Sequence, residues 1–190
     1  MLGTVGTSSN FYQQMREVAP NPGHHAIARL EQLGIVKWTI TQNVDGLHEK
    51  AGTQRVMHYH GTVEKLRCLF CGSRFGVEAY SLDKLPPLCH CGRPLKYDVV
   101  HFQEPIPSDI MDAAEEEAMK CDVMLICGTS AVVYPFAALP SMARSRGRGQ
   151  PAVKIIEVNA DPTPLTHQGI SDYLIQGKTG EVLSLVVDGV

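Results

Sequence analysis

The sequence has no long hydrophobic run. Its most apolar stretch, Val123 to Cys127, falls far short of the roughly 20 residues that a bilayer-spanning helix needs, so no membrane partner is expected. It also has no excess of either charge. Seventeen Lys and Arg against 20 Asp and Glu leave a formal charge of -3, and basic residues nowhere alternate with aromatics, which argues against a nucleic-acid-binding ribbon. The first residues, Met1 to Ser9, carry neither the basic flank nor the apolar core of a signal peptide. The cytoplasm is therefore the expected compartment, and six cysteines there are expected as metal ligands or reduced core residues rather than disulfides. Internal repeats and low-complexity segments are absent as well. What remains is ordinary for a cored protein: 44% hydrophobic and 19% charged residues in 190, enough for one domain or a domain with a small satellite.

The chain alternates helix and buried strand. Asn21-Pro22 before residues 24–33, with Gly34 after them, supplies a cap, a first-turn proline and a left-handed stop for one helix. Ile35 to Thr41 is β-branched and aromatic, as a strand requires. Ser108 to Lys120 reads as a helix with an acidic solvated face, and Val123 to Cys127 as a strand covered on both sides. A helix over about 136–146, a basic turn over 144–149, strands over 153–158 and 173–175 and a helix over about 180–187 complete the pattern. This predicts an α/β fold with a doubly wound, mostly parallel sheet. Residues 62–104 break the rhythm and are expected to form a separate small lobe, leaving 1–61 and 105–190 as a Rossmann-like domain.

In open parallel sheets ligands bind outside the carboxyl ends of the strands. Three strands here end in hydrogen-bonding residues: Thr41 to Gly46, Gly128-Thr129-Ser130, and Asn159 after Glu157-Val158. Their convergence suits a ligand rich in hydroxyls and phosphates, such as a nucleotide.

Cys68 and Cys71 are separated from Cys89 and Cys91 by 17 residues, the pattern of a structural zinc ribbon in which four thiolates close a tetrahedral site. The tight second pair leaves His90 as an alternative fourth ligand to Cys91. Cys121 and Cys127 read as small core hydrophobes. Among eight histidines, His24, His25, His48 and His167 suit surface or packing roles. His58 and His60 stand where the sheet domain meets the cysteine lobe, and either could serve there as a base near neutral pH.

Taken together, Thr41-Gln42-Asn43-Val44-Asp45-Gly46-Leu47-His48, Ala51-Gly52, His60-Gly61, the cysteine pairs, Gly128-Thr129-Ser130 with Val133 and Pro135, Glu157-Val158-Asn159 and Gly177-Lys178-Thr179-Gly180-Glu181 resemble the sirtuins, NAD-dependent protein lysine deacylases, over roughly residues 20–187. The resemblance implies NAD as co-substrate, structural Zn²⁺ on Cys68, Cys71, Cys89 and Cys91, and an acyl-lysine protein or peptide as partner. It sets no oligomeric state. His60 would be the catalytic base, deprotonating a ribose hydroxyl after the acyl-lysine oxygen has displaced nicotinamide, with Asn43 as the second catalytic residue. Gln42, Asn43 and Asp45 would surround the nicotinamide ribose and nicotinamide. Gly128, Thr129, Ser130, Asn159 and Thr179 would take the adenosine side. Val99, Val100 and Phe102 would bind substrate peptide as an added strand.

Two departures accompany the likeness. The first strand of the family, with its Gly-Ala-Gly-x-Ser phosphate loop, has no counterpart, and Gly3 and Gly6 stand in an unrelated context. In the order 3-2-1-4-5-6 the missing strand is the central one, so a chain truncated relative to the family pattern and a weakened phosphate cradle are expected. Gln103 stands where the family has glycine; a positive φ there would strain it. A deacylase and a non-catalytic, zinc-stabilised binding module on the same scaffold are the two readings that result.

Overall fold

The computed structural model describes residues 5–82, 86–147 and 152–190, with the backbone alone over 5–10. Gly3, Arg148 and Gly149 lie outside the described residues. In chain order the elements are α1 (Val5–Glu17), α2 (Pro22–Gln32), β1 (Thr39–Thr41), α3 (Leu47–Lys50), β2 (Val56–His58), β3 (Gly61–Cys68), β4 (Arg74–Gly76), β5 (Leu95–Val99), α4 (Ser108–Lys120), β6 (Val123–Cys127), α5 (Leu139–Arg144), β7 (Lys154–Asn159), α6 (Pro164–His167), β8 (Tyr173–Gln176) and α7 (Thr179–Asp188). Among the described residues, no helix is long and apolar enough to cross a membrane.

Helix α2 forms where its punctuation places it. The Asn21 side chain accepts from the Gly23 and His24 amides at 2.9 and 3.2 Å, and His24 Nδ1 accepts from Asn21 N at 3.2 Å, a reciprocal capping box. Gly34 follows with φ 74°. The strand expected over 35–41 is shorter, Thr39–Thr41, because the amides of Ile35 and Val36 both donate to the Leu30 carbonyl and satisfy the helix end instead of a ladder. The Glu31 carboxylate, nearly buried, ties the same helix to the approach of β2 by accepting from Gln54 N at 2.7 Å and Arg55 N at 2.9 Å.

The parallel strands form two units, β1–β2 and β6–β7–β8. Both lie over one core: Ile40, Met57 and Tyr59 from the first unit pack with Ile126 and Ile155 of the second against α4 and α5. Among the described residues no strand joins β1 to β6, so each keeps one edge without a ladder. Val123 and Leu125 on β6 are 51% and 37% exposed, contrary to a strand covered on both faces. The missing central strand expected from the sequence is thus visible as a division in the sheet.

Strands β4, β3 and β5 make a separate antiparallel sheet beneath the cysteines, with its own core of Val63, Leu66, Cys68, Val77, Leu95 and Tyr97. Helix α1 lies against this sheet. Tyr12 packs on Tyr97 with ring centroids 4.7 Å apart, and Arg16 Nε donates to Glu64 at 2.9 Å.

Candidate functional site

The strand β2 and the start of β3 place the histidines. From Met57 to His60 buried and half-buried residues alternate, so Met57 and Tyr59 face the core while His58 and His60 face the other way. Their surroundings separate the two imidazoles. His58 Nε2 is hydrogen-bonded to Glu49 on α3. His60 instead meets the backbone of Gln42, at the end of β1. Partial burial holds the His60 imidazole below its usual value, and the hydrogen bond with Gln42 pulls it partly back. Burial is the larger of the two effects, so the net shift is downward.

Gly61 sets the position of this base relative to β5. Its φ is 79°, and a Cβ there would lie 1.8 Å from the Asp98 carbonyl oxygen. Only glycine permits this approach. It brings the end of β5 against His60, whose carbonyl accepts from Val100 N at 2.8 Å. Val99 and Val100, expected to bind substrate, therefore adjoin His60. Phe102, two residues further on, is 94% exposed.

At the carboxyl ends of β6 and β7 lies an open cleft of about 710 Å³. Gly128, Thr129, Ser130, Asn159 and Thr179 all line it, with Lys178 and the segment Ala160–Pro164. Asn159 Nδ2 donates to the Thr129 carbonyl at 3.1 Å, joining two strand ends. Gly128, at φ 57°, donates its amide to Val158 O at 3.0 Å. Within the β1–α3 turn, Asn43 N donates to Thr41 Oγ1 and Leu47 N to Asp45 Oδ1, each at 3.0 Å, so hydroxyl and carboxylate brace the turn itself. Next to His60, the Tyr59 ring is 1% exposed and stands edge-on to Phe136 at 5.0 Å.

Cys68, Cys71, Cys89 and Cys91 bring their sulfur atoms within 4.8 Å of one another, a set that could hold a metal ion. The Cys68–Cys91 and Cys71–Cys89 sulfur separations are both 3.6 Å. That is too long for a disulfide and close to the ~3.8 Å edge of a tetrahedron with 2.3 Å Zn–S bonds. His90 Nδ1 reaches only Cys89, at 3.6 Å, and stands outside the four.

Residues His101 to Glu104 form a turn closed by Glu104 N donating to His101 O at 2.9 Å. Gln103 takes its third position with φ 72°, a place that favours glycine. The strain is held by Lys96, whose ammonium grips both Glu104 oxygens at 2.7 and 2.5 Å and pins the turn to β5. Gln103→Gly is therefore expected to raise stability by about 1 kcal/mol in denaturant unfolding; an unchanged or lowered midpoint would contradict the strain.

Comparison with known proteins places these features in a family. The family model described as "Sir2 family" matches residues 6–135. The chain is 46% identical over 172 residues, 90% of its length, to "NAD-dependent protein deacylase 2" of Pyrobaculum aerophilum. Its structure is similar to that of a Sir2 homolog–NAD complex, with a TM-score of 0.81 at 45% identity over 92% of this chain and 66% of that one. It is similar also to Sir2 bound to acetylated peptide, with a TM-score of 0.80 at 30% identity over 95% of this chain and 76% of that one. The chain spans 66% of the length of the first curated relatives it matches. A glycine-locked histidine beside the edge strand β5, an open cleft at the ends of two parallel strands and a four-cysteine cluster agree with that match, and the chain belongs to the Sir2 family.

Proposed function

We propose that this chain carries the chemistry of an NAD-dependent protein lysine deacylase, passing the acyl group of an acyl-lysine peptide to ADP-ribose with release of nicotinamide. The observation that carries the reading is the placement of His60, whose ring meets the Gln42 backbone while its carbonyl accepts from Val100 N at the end of β5. The relatives are named for this activity, and one similar structure holds NAD and another an acetylated peptide.

In this reading the peptide lies along Val99, Val100 and Phe102 as an added strand, which brings its acyl-lysine to His60. Gln42, Asn43 and Asp45 surround the nicotinamide ribose. Gly128, Thr129, Ser130, Asn159 and Thr179 hold the adenosine half in the strand-end cleft. His60 takes the proton from a ribose hydroxyl, and that oxygen then accepts the acyl carbon. The Gly-Ala-Gly-x-Ser phosphate loop of the family has no counterpart in this sequence, so affinity for NAD is expected to be weak. We also assign residues 1–61 and 105–190 to the nucleotide domain, 62–104 to the cysteine lobe and the chain to the cytoplasm, where its thiols stay reduced.

The cysteine cluster suits Zn²⁺ as a structural ion, because four thiolates leave no open position for catalysis. Such an ion contributes on the order of 10 kcal/mol to a lobe this small. Stripping the metal with a chelator is expected to speed amide exchange throughout 61–99 while β6–β8 keep their protection. Equal protection in both states would remove the structural role.

Incubation with NAD and an acetyl-lysine peptide tests the activity. Nicotinamide release with formation of deacylated peptide and O-acyl-ADP-ribose is expected, and formation of the two acyl-transfer products should vanish in His60→Ala. Because burial lowers the folded value for His60, the acidic limb of the rate profile should fall below the ordinary imidazole value of 6.5. No release, together with no heat on titrating NAD, would leave the non-catalytic binding module.

A further inference from the structure

One buried charge is not used by the mechanism above. The Glu157 side chain on β7 is fully buried. Thr163 Oγ1 donates to it, Thr166 Oγ1 donates at 2.6 Å and Ser171 Oγ at 2.5 Å. Among the described residues, no ammonium or guanidinium pairs with it. A buried carboxylate is costly unless several donors satisfy it, and here hydroxyls do so in place of a counter-ion.

The donors share one origin. All three lie on the excursion between β7 and β8: Thr163 caps α6, Thr166 is within it, and Ser171 follows it. The first part of that excursion, Ala160–Pro164, is one wall of the strand-end cleft. Asn159 lies two residues beyond Glu157, on the same face of β7, and its amide also contributes to holding the carboxyl in the ionised form. The same amide donates to Thr129 O at 3.1 Å, on the opposite wall. One carboxylate thus anchors a network that spans both walls.

We propose that Glu157 is a positioning residue for nucleotide binding: its carboxylate sets the spacing of the two walls that receive the adenosine half of the ligand. The proposal rests on the nucleotide reading above and adds a residue to it. A hydrophobic side chain would fill the same volume at lower cost, but it would leave three hydroxyls without a common acceptor and the wall without a fixed position. The buried negative charge also disfavours a phosphate at this end of the cleft, so the neutral, hydroxyl-bearing adenosine is the part of the ligand that fits here.

The test is Glu157→Gln, which keeps the size but turns two donors toward three. Calorimetry with ADP-ribose is expected to show affinity about tenfold weaker, with KM for NAD raised alike. At saturating NAD, kcat and the KM for an acetyl-lysine peptide should stay within about twofold; a merely structural lesion would lower kcat and disturb both substrates together. Unchanged ADP-ribose affinity in a folded Glu157→Gln protein would overturn the proposal. Should that variant fail to fold, Thr166→Val and Ser171→Ala each remove one donor and are expected to weaken ADP-ribose binding several-fold; wild-type affinity in both overturns it. If the wild type binds no ADP-ribose, the nucleotide reading falls by itself. Amide exchange then decides the network: faster exchange over 160–171 and at Thr129 in Glu157→Gln supports it, and unchanged exchange overturns it.

Discussion

At Gly61 the chain comes so close to the Asp98 carbonyl that any side chain would lie 1.8 Å from it, and this contact locks the start of β3 onto the end of β5. Steric exclusion of this kind is worth more than any single hydrogen bond, because a Cβ would need a backbone shift of well over an ångström to fit. Asp98 has its own reason to hold still: it is buried, and its carboxylate pairs with Arg67 at 3.2 Å and Arg74 at 2.8 Å. The antiparallel sheet is therefore rigid where it meets the parallel strands. His60 gains its orientation from that junction, with its carbonyl bonded to Val100 and its ring turned to Gln42.

The two halves of the site depend on different physics. Around His60 the controlling factor is partial burial, which lowers the affinity of the imidazole for a proton. In the strand-end cleft it is polar satisfaction: the Glu157 carboxylate, three hydroxyls and the Asn159 amide define its walls. Tyr59, beside His60, packs edge-on to Phe136. At the division between β1 and β6, Val123 and Leu125 are left partly exposed.

Much of this was legible in the sequence wherever a short-range rule sufficed. The Asn21-Pro22 cap and the Gly34 stop framed α2, and four closely spaced cysteines announced a cluster whose sulfurs lie within 4.8 Å. Polar residues after β6 and β7 marked the cleft that Gly128–Ser130 and Asn159 line. Long-range competition hid the rest. Ile35 and Val36 look like strand residues, yet their amides close the end of α2. Strand β2 spans only Val56–His58, too short for its alternation to stand out. Helix α1 begins with a polar run whose stability depends on the distant Tyr97 and Glu64. Residue pattern alone left His58 and His60 as alternatives and only the family resemblance pointed to His60; their neighbours Glu49 and Gln42 are ones no local pattern reveals. Glu157 was visible only as a polar residue near a strand end; its three donors lie up to fourteen positions away.

The junction at Gly61 can be tested by one substitution. In Gly61→Ala the added carbon must push β3 from β5 and move the His60 ring out of line, by roughly the ångström-scale displacement that costs an enzyme about a hundredfold. Steady-state deacylation of an acetyl-lysine peptide with NAD, measured on protein that retains its metal and its α4–β8 amide protection, is expected to drop by at least about that factor. A folded variant that deacylates the peptide within about twofold of the wild-type rate would contradict the account.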